Sequence, residues 1–406
     1  MTKPETTPIM DYPAPRSNDR PFDPPPAYTR LRIERPVSKI RMANGKQAWL
    51  ITKYEDARLA LSDSRFSADR RHPSFPVTVQ DRATIDKVPP MLVGLDGPAH
   101  AAARRAVLGE FSGKQANALR PRVQDITDQF VDAMLHGEKP VDLVRALALP
   151  VPLFVICELL GVPYDDREFF EGIAAKVIGR NTPEQERVAA TGEFRGYLDD
   201  LIVSKEKNPT DDVLSRQIQK KLAADGTYDL PEMAGLAWLL LIAGHETTAN
   251  MISLGALALM RNPDRLAEVT ADPAKMPAAV DELLRYFSIV EHLTSRVVTE
   301  DVELSGVRIR ADEAVVVCLP AADRDETVFD HPDELDFNRE VRHHIAFGHG
   351  PHQCLGQFLA RVELQIVFET LFRRIPGLRL AIDFDDVSYK DDRSFFFGLN
   401  SLPVTW

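Results

Sequence analysis

The chain has 406 residues, 44% of them hydrophobic and 27% charged, and 49 Lys and Arg against 61 Asp and Glu leave a formal charge of −12. This is the composition of an ordinary globular protein, and its acidic balance excludes a general nucleic-acid binder, because phosphate binding needs a basic field. There is no apolar run long enough for a transmembrane helix, no apolar core of a signal peptide in the Pro-rich residues 1–30, and three cysteines are too few for a disulfide framework. The expected setting is the cytoplasm, without a membrane anchor.

In chain order, residues 1–26 are rich in Pro and are predicted to run extended over the surface. A short helix is predicted after Pro26, with Tyr28, Leu31 and Ile33 turned inward. Two strand-like runs follow, Val37–Met42 and Ala48–Thr52, joined by Asn44-Gly45, a hairpin signal. The next helix carries apolar Ala57, Leu59, Ala60 and Leu61. Residues 67–95 are polar and aperiodic, and a loop that long is usually functional.

From Pro98 to about residue 270 the pattern is mostly helical. Leu143–Leu160 and Leu236–Met260 are its most apolar stretches. Pro150 and Pro152 place the start of the first helix there, and the second should cross the interior. Asp272–Pro277 separates it from a helix over Ala278–Phe287. Short β-like runs occupy residues 292–320, among them Val302–Leu304, Val307–Ile309 and Ala314–Leu319. Residues 321–353 are irregular, Leu355–Phe372 is a last apolar helix, and 374–406 is strand and turn. With no linker or repeat in sight, residues 1–406 read as a single domain, mainly α with a minor β region. Its strand-rich part is 30–55 with 292–320 and 374–406, its helical part 98–290 and 355–373, and the two ends of the chain are expected to share one sheet region.

The densest cluster of unusual residues is Phe347-Gly-His-Gly-Pro-His352-Gln-Cys354-Leu-Gly356. Gly348, Gly350 and Gly356 surround one cysteine, and glycine lets the backbone reach φ > 0 and approach a flat ligand closely. A helix starting near Leu355 would aim its N-terminal dipole at the sulfur and lower the thiolate pKa. Phe347 would pack over the sulfur and exclude water. A zinc site built from His343, His344, His349, His352 and Cys354 is the rival, weakened by the lack of any Cys-x-x-Cys. Cys157 and Cys318 stand in apolar runs and read as small core residues.

The stretch Leu240–Asn250 places His245, Glu246, Thr247 and Thr248 inside an apolar helix, beside Ala243 and Gly244. Buried polar groups there are costly unless hydrogen-bonded or wet. A Thr hydroxyl can bond back to the carbonyl four residues earlier, and the gap beside a glycine leaves room for a small ligand. His245 falls on another face and reads as a structural hydrogen-bonder.

The cysteine motif Phe-Gly-x-Gly-x-His-x-Cys-x-Gly resembles the haem-binding loop of the cytochromes P450, with His352 where many members have Arg. The resemblance covers essentially the whole chain and is closest to the soluble actinobacterial group. It implies a triangular, mainly helical fold with one haem b between the Leu236–Met260 and Leu355–Phe372 helices, and Cys354 as thiolate ligand to the iron. It implies that Ala243 and Gly244 line the oxygen groove and that Glu246 and Thr247 are the acid–alcohol pair relaying protons to dioxygen. It also implies propionate contacts from His100 and Arg104, four apart on one helix face, and from Arg296 and His352. Glu282 and Arg285 match the family's Glu-x-x-Arg pair, which holds an Arg of the loop before the cysteine, here Arg339.

The reaction implied is a monooxygenation, hydroxylating or epoxidising a hydrophobic small molecule. Its walls are expected from the loop 72–95, helices around 165–205, residues 240–248, Ile289–Thr294 and Phe395–Phe397. A haem-thiolate nitric oxide reductase is the nearest alternative and does not need the acid–alcohol pair. A haem-based sensor or carrier is the alternative from another class and would bring a signalling domain. The protein is expected to be a monomer, served by a ferredoxin and its reductase, because the chain has no flavin or iron–sulfur module. Arg105, Lys114, Arg342 and Arg361, with His343 and His344, are the cations expected on the docking face near Cys354.

Overall fold

In the computed structural model, residues 9–76, 91–178, 182–341, 343–392 and 394–406 are described. Helices dominate, as the periodicity requires. The longest, Leu230–Arg261, begins at Pro231 with Asp229 capping the Glu232 amide. It packs against the helices Pro150–Leu160, Glu184–Lys207 and Gln357–Arg374. Its second half is apolar all round, with Ile252, Leu254, Leu257 and Leu259 wholly buried. Each such side chain contributes roughly 1.5–3 kcal/mol by leaving water. A Cβ on Gly255 would fall inside the ring of Phe368, so glycine there lets the long helix and Gln357–Arg374 close on each other.

The helix expected at Pro150 starts there, entered through a π-helical turn, Val144–Ala148. The separator and helix expected around 272–287 are a 3₁₀ turn, Pro273–Lys275, and the helix Met276–Phe287. In the smaller helices Pro26–Glu34 and Tyr54–Ser62, Tyr28, Leu31, Ala57, Ala60 and Leu61 are buried, but Ile33 is 64% and Leu59 40% exposed. Ile33 was expected to turn partly inward and does not; apolar character alone does not say which helix face is covered.

The main sheet has six strands in the order Met10–Tyr12, Val37–Met42, Gln47–Ile51, Ala314–Val317, Ser295–Val298, Phe66–Ser67. Asn44-Gly45 forms the turn between the second and third, with Gly45 at φ 78° and Val37 facing Ile51. Gln47–Ile51 pairs in parallel with Ala314–Val317 through Leu50 and Val316. Two expectations change here. Residues 1–26 do not merely skirt the surface: Met10–Tyr12 adds a parallel edge strand, and Tyr12 and Ala14 are 3% exposed. The C-terminal strands Arg379–Leu380 and Pro403–Thr405 do not join this sheet; they pair with Val141–Asp142, inside the region read as helical. Residues 77–90, about half of the expected loop 67–95, lie outside the described residues.

Candidate functional site

A cavity of about 430 Å³ opens between the long helix, the Cys354 loop and the main sheet, within the size range of small-molecule sites. The loop contributes Phe347, Gly348, His352, Cys354 and Gly356 to its wall, and the long helix contributes Ala243, Gly244 and Thr247. His100, Arg104 and Arg296 complete the set expected around a cofactor. Glu246 is not part of the wall.

The loop is folded by its own backbone. The Cys354 amide donates to the Phe347 carbonyl at 2.8 Å, and Gly348 and Gly350 sit at φ 71° and 70°. A Cβ on Gly350 would also strike the backbone at Leu61 and Ser62, so glycine sets how closely the loop meets the helix Tyr54–Ser62. At Gly356 φ is −83° and nothing lies within 4 Å of a would-be Cβ; its contribution is open space beside the sulfur. The Arg361 guanidinium lies 4.6 Å from the centre of the Phe347 ring and fixes it against the loop.

Cys354 has accessible surface, unlike Cys157 and Cys318, which are 0% exposed. Cys354 lines the cavity. Burial pushes the Cys354 thiol up, and the Gly356 amide with the Arg104 and Arg361 guanidiniums offsets this only in part. The expected lowering by the helix dipole alone therefore does not hold. A bound metal cation would supply the missing stabilisation, since coordination deprotonates a thiol outright. The zinc alternative fails: among the described residues no three His, Cys, Asp or Glu converge on a common point.

On the long helix, the Thr247 hydroxyl donates to the Ala243 carbonyl at 2.7 Å. Ala243 is exposed although its helix runs through the core, because it faces the cavity. The reason for Gly244 is different from the one expected. A Cβ there would come within 3.1 Å of Ile156, so glycine is demanded by the crossing with Pro150–Leu160 as much as by any ligand. Glu246 accepts a hydrogen bond from Lys390 at 2.7 Å, an ion pair about one-fifth exposed. Lys390 arrives there because its amide bonds the Gly398 carbonyl, and a Cβ on Gly398 would strike Asn250 of the long helix. His245 bonds the Leu149 carbonyl at 3.1 Å, and burial pushes its pKa down.

The basic groups form a crowded wall. The His100 and His352 rings are 4.0 Å apart, and Arg104 donates to the Gln353 carbonyl at 2.7 Å. Burial pushes Arg296 down to about 10, and burial with the Arg296 charge pushes His352 down to about 4. Buried His100 Nε2 has no hydrogen-bond partner among the described residues. Asp96 stands beside them but already accepts from Ser67 and the Ala68 amide. Two guanidiniums beside an orphaned imidazole nitrogen call for an anion, and a thiol with side-chain-free space beside it calls for a flat metal complex. Haem with its propionates meets both demands.

Away from the cavity, Glu282 and Arg285 are both 0% exposed and joined by two bonds, Nε to Oε2 at 2.7 Å and Nη2 to Oε1 at 2.8 Å. Arg339 reaches the same Glu282 oxygen at 3.2 Å. Arg285 also donates to the Asp323 and Pro332 carbonyls, tying the segment before the cysteine loop to the helix Met276–Phe287.

The docking cations are only partly where they were expected. Arg105 and Lys114 are exposed. Arg361 instead bonds Asp281 at 2.7 Å, and His344 is 7% exposed beside that same carboxylate; both are absorbed by the fold. His343 stacks on Phe329, and Arg342 lies outside the described residues. No described residue of 165–205 lines the cavity. Sequence reasoning missed three residues. Arg70 and Glu363 line the cavity, and burial pushes the Glu363 carboxyl well up. Lys390 is the third. A Glu on an otherwise apolar helix face was a signal for the second; Arg70 and Lys390 sit in polar segments and had none.

The cytochrome P450 family model matches residues 177–376. The chain is 47% identical to pentalenic acid synthase of Streptomyces avermitilis over the whole of both chains. It is 42% identical to vitamin D3 dihydroxylase of Streptomyces griseolus, over 100% of this chain and 99% of that one. Among solved structures, cytochrome P450 MoxA from Nonomuraea recticatena is 52% identical, with a TM-score of 0.89 over 97% of this chain and 98% of that one. Likeness of this extent carries the fold and the haem b cofactor together, and the chain belongs to the cytochromes P450 as a haem-thiolate monooxygenase of that family.

Proposed function

We propose that this enzyme, acting as one domain over residues 1–406, hydroxylates or epoxidises an apolar small molecule with electrons from a ferredoxin and its reductase. The carrying observation is a single cavity that holds Cys354, Thr247 and a mostly apolar wall including Trp238, Ile242, Leu293 and Phe395. Relatives named for pentalenic acid and vitamin D3 make alicyclic carbon frameworks suitable first substrates. Among the described residues, no helix is long and apolar enough to cross a membrane, which favours a carrier protein over a membrane-held reductase.

Haem bound through Cys354 supplies the activation of dioxygen, which takes up two electrons and two protons. This chain's residues hold the cofactor and move the protons. His100, Arg104, Arg296 and His352 bind the propionates. Glu246, partly exposed and paired with Lys390, takes protons in from the solvent side. Thr247 faces the cavity and passes them on through its hydroxyl, which its bond to Ala243 holds in place. The Glu282–Arg285–Arg339 network keeps the cysteine loop in register.

Thr247→Ala should keep haem, substrate binding and reductant consumption. Product formation should fall roughly ten- to a hundred-fold, at or below the usual range for a positioned proton donor, with the electrons recovered as peroxide. Product and peroxide measured together in a ferredoxin-reconstituted assay test the role, and unchanged coupling refutes it.

For the electron donor, Arg105 is the cleaner probe, because Arg361 is tied to Asp281. Arg105 is exposed on the same helix whose Arg104 bonds the Gln353 carbonyl of the cysteine loop. Arg105→Glu should slow reduction by ferredoxin at low ionic strength and leave substrate affinity unchanged, the difference fading as salt screens beyond about 10 Å at 0.1 M. Stopped-flow reduction at two salt concentrations gives the answer; equal rates for both proteins place the docking face elsewhere.

A further inference from the structure

We propose that Arg70 is a carboxylate-binding residue of the substrate pocket, so that the preferred substrates are apolar molecules carrying one carboxylate. This rests on the haem monooxygenase reading above and narrows it to a substrate class.

Arg70 follows the strand Phe66–Ser67 and turns into the cavity, its side chain passing Gly94. Among the described residues no carboxylate or carbonyl accepts a hydrogen bond from its guanidinium. The adjacent Asp69 carboxylate is turned to the Arg71 amide instead. Other arginines of the interior each donate at least one hydrogen bond. Arg104 bonds Gln353, Arg296 bonds the Ser295 carbonyl, and Arg285 and Arg324 each have a carboxylate. Arg70 is half-buried in the cavity wall; burial pulls its pKa down, and among the described residues no anion offsets it. A guanidinium kept in such a place without a partner is costly.

Arg70 is close enough to Arg296 for their charges to act on each other, yet the propionates have partners enough without it. Haem brings two carboxylates, and His100, Arg104, Arg296 and His352 already provide two basic side chains for each. Arg70 is a fifth, from a separate loop. The wall beyond it carries Phe75, Met91, Val93 and Leu293, so the anion that reaches it is attached to an apolar body. A guanidinium takes a carboxylate through two parallel N–H···O bonds. A phosphate dianion would leave one charge unmatched in the apolar cavity, which argues for a carboxylate.

The test is a spectral titration of the ferric holoenzyme with straight-chain fatty acids and terpenoid acids, each against its own methyl ester, for wild type, Arg70→Met and Arg70→Lys. Haem content and the spectrum of the reduced carbon monoxide complex are recorded for each protein. Wild type should bind acids more tightly than esters. Arg70→Met should weaken acid binding roughly ten- to a hundred-fold, leave ester binding nearly unchanged and keep full haem content. Arg70→Lys should fall between them, its charge kept and its paired donors lost. The proposal is overturned if the acid preference survives in Arg70→Met, or if no acid perturbs a wild-type spectrum that shows thiolate ligation. Loss of haem from Arg70→Met would also overturn it, making Arg70 a propionate anchor. A wild type without the thiolate signature would instead bring down the monooxygenase reading on which the proposal stands.

Discussion

Cys354→Ala should abolish the thiolate signature of the reduced carbon monoxide complex and all substrate oxidation, whereas Cys157→Ala and Cys318→Ala should keep both. The effect is complete because alanine offers the metal no ligand and no thiol lines the cavity besides Cys354 among the described residues. Cys157 and Cys318 cannot substitute. Each is wholly buried, and burial, with the Glu291 carboxylate adding to it, pushes the Cys318 thiol up to about 12. The free Cys354 thiol is itself held up by burial, so the metal must displace its proton on binding. Haem uptake by apoprotein should therefore be accompanied by proton release, which a weakly buffered dye assay can follow. A histidine-type spectrum in the fresh wild-type protein would refute the assignment.

Arg285→Ala should be the most damaging change away from the cavity. The guanidinium is 0% exposed and makes two bonds to Glu282 and two more to the Asp323 and Pro332 carbonyls. Removing it leaves the Glu282 carboxylate buried with two partners, both on Oε1, the Asp336 amide at 3.0 Å and Arg339 at 3.2 Å, and none on Oε2 among the described residues. Breaking a buried pair in this way costs about 3–5 kcal/mol, a large share of the 5–15 kcal/mol that holds a typical domain together. Arg285→Lys should recover little, because an ammonium cannot make the paired bonds. Denaturant midpoints read the loss directly, and haem release should accelerate with it, since the same network anchors the segment leading to Cys354. Wild-type stability in Arg285→Ala would show that the network is not structural. An exposed pair such as Arg308–Asp301, by contrast, is screened by solvent and should matter little to stability.

What the sequence determined by itself is whatever lies within one turn, one helix or one short motif. The ten residues Phe347–Gly356 carry both the ligand and the glycines that shape its loop, and Gly348 and Gly350 adopt the positive φ that reading required. Asn44-Gly45 fixed a hairpin, paired prolines fixed a helix start at Pro150, and sustained apolar character fixed the long central helix, because backbone preference and burial act there over a few neighbouring positions. The tertiary structure alone decided which distant segments meet. It carried Lys390 across 144 positions to Glu246, paired Arg379–Leu380 and Pro403–Thr405 with Val141–Asp142 rather than with the main sheet, and drew Arg361 away from the surface onto Asp281 and Phe347. It also left Arg70 facing a cavity with no counter-charge among the described residues. A lone charged residue looks the same in sequence whether water or a buried cavity surrounds it; only packing sets its solvation, and with it whether the charge is idle or in need of a partner.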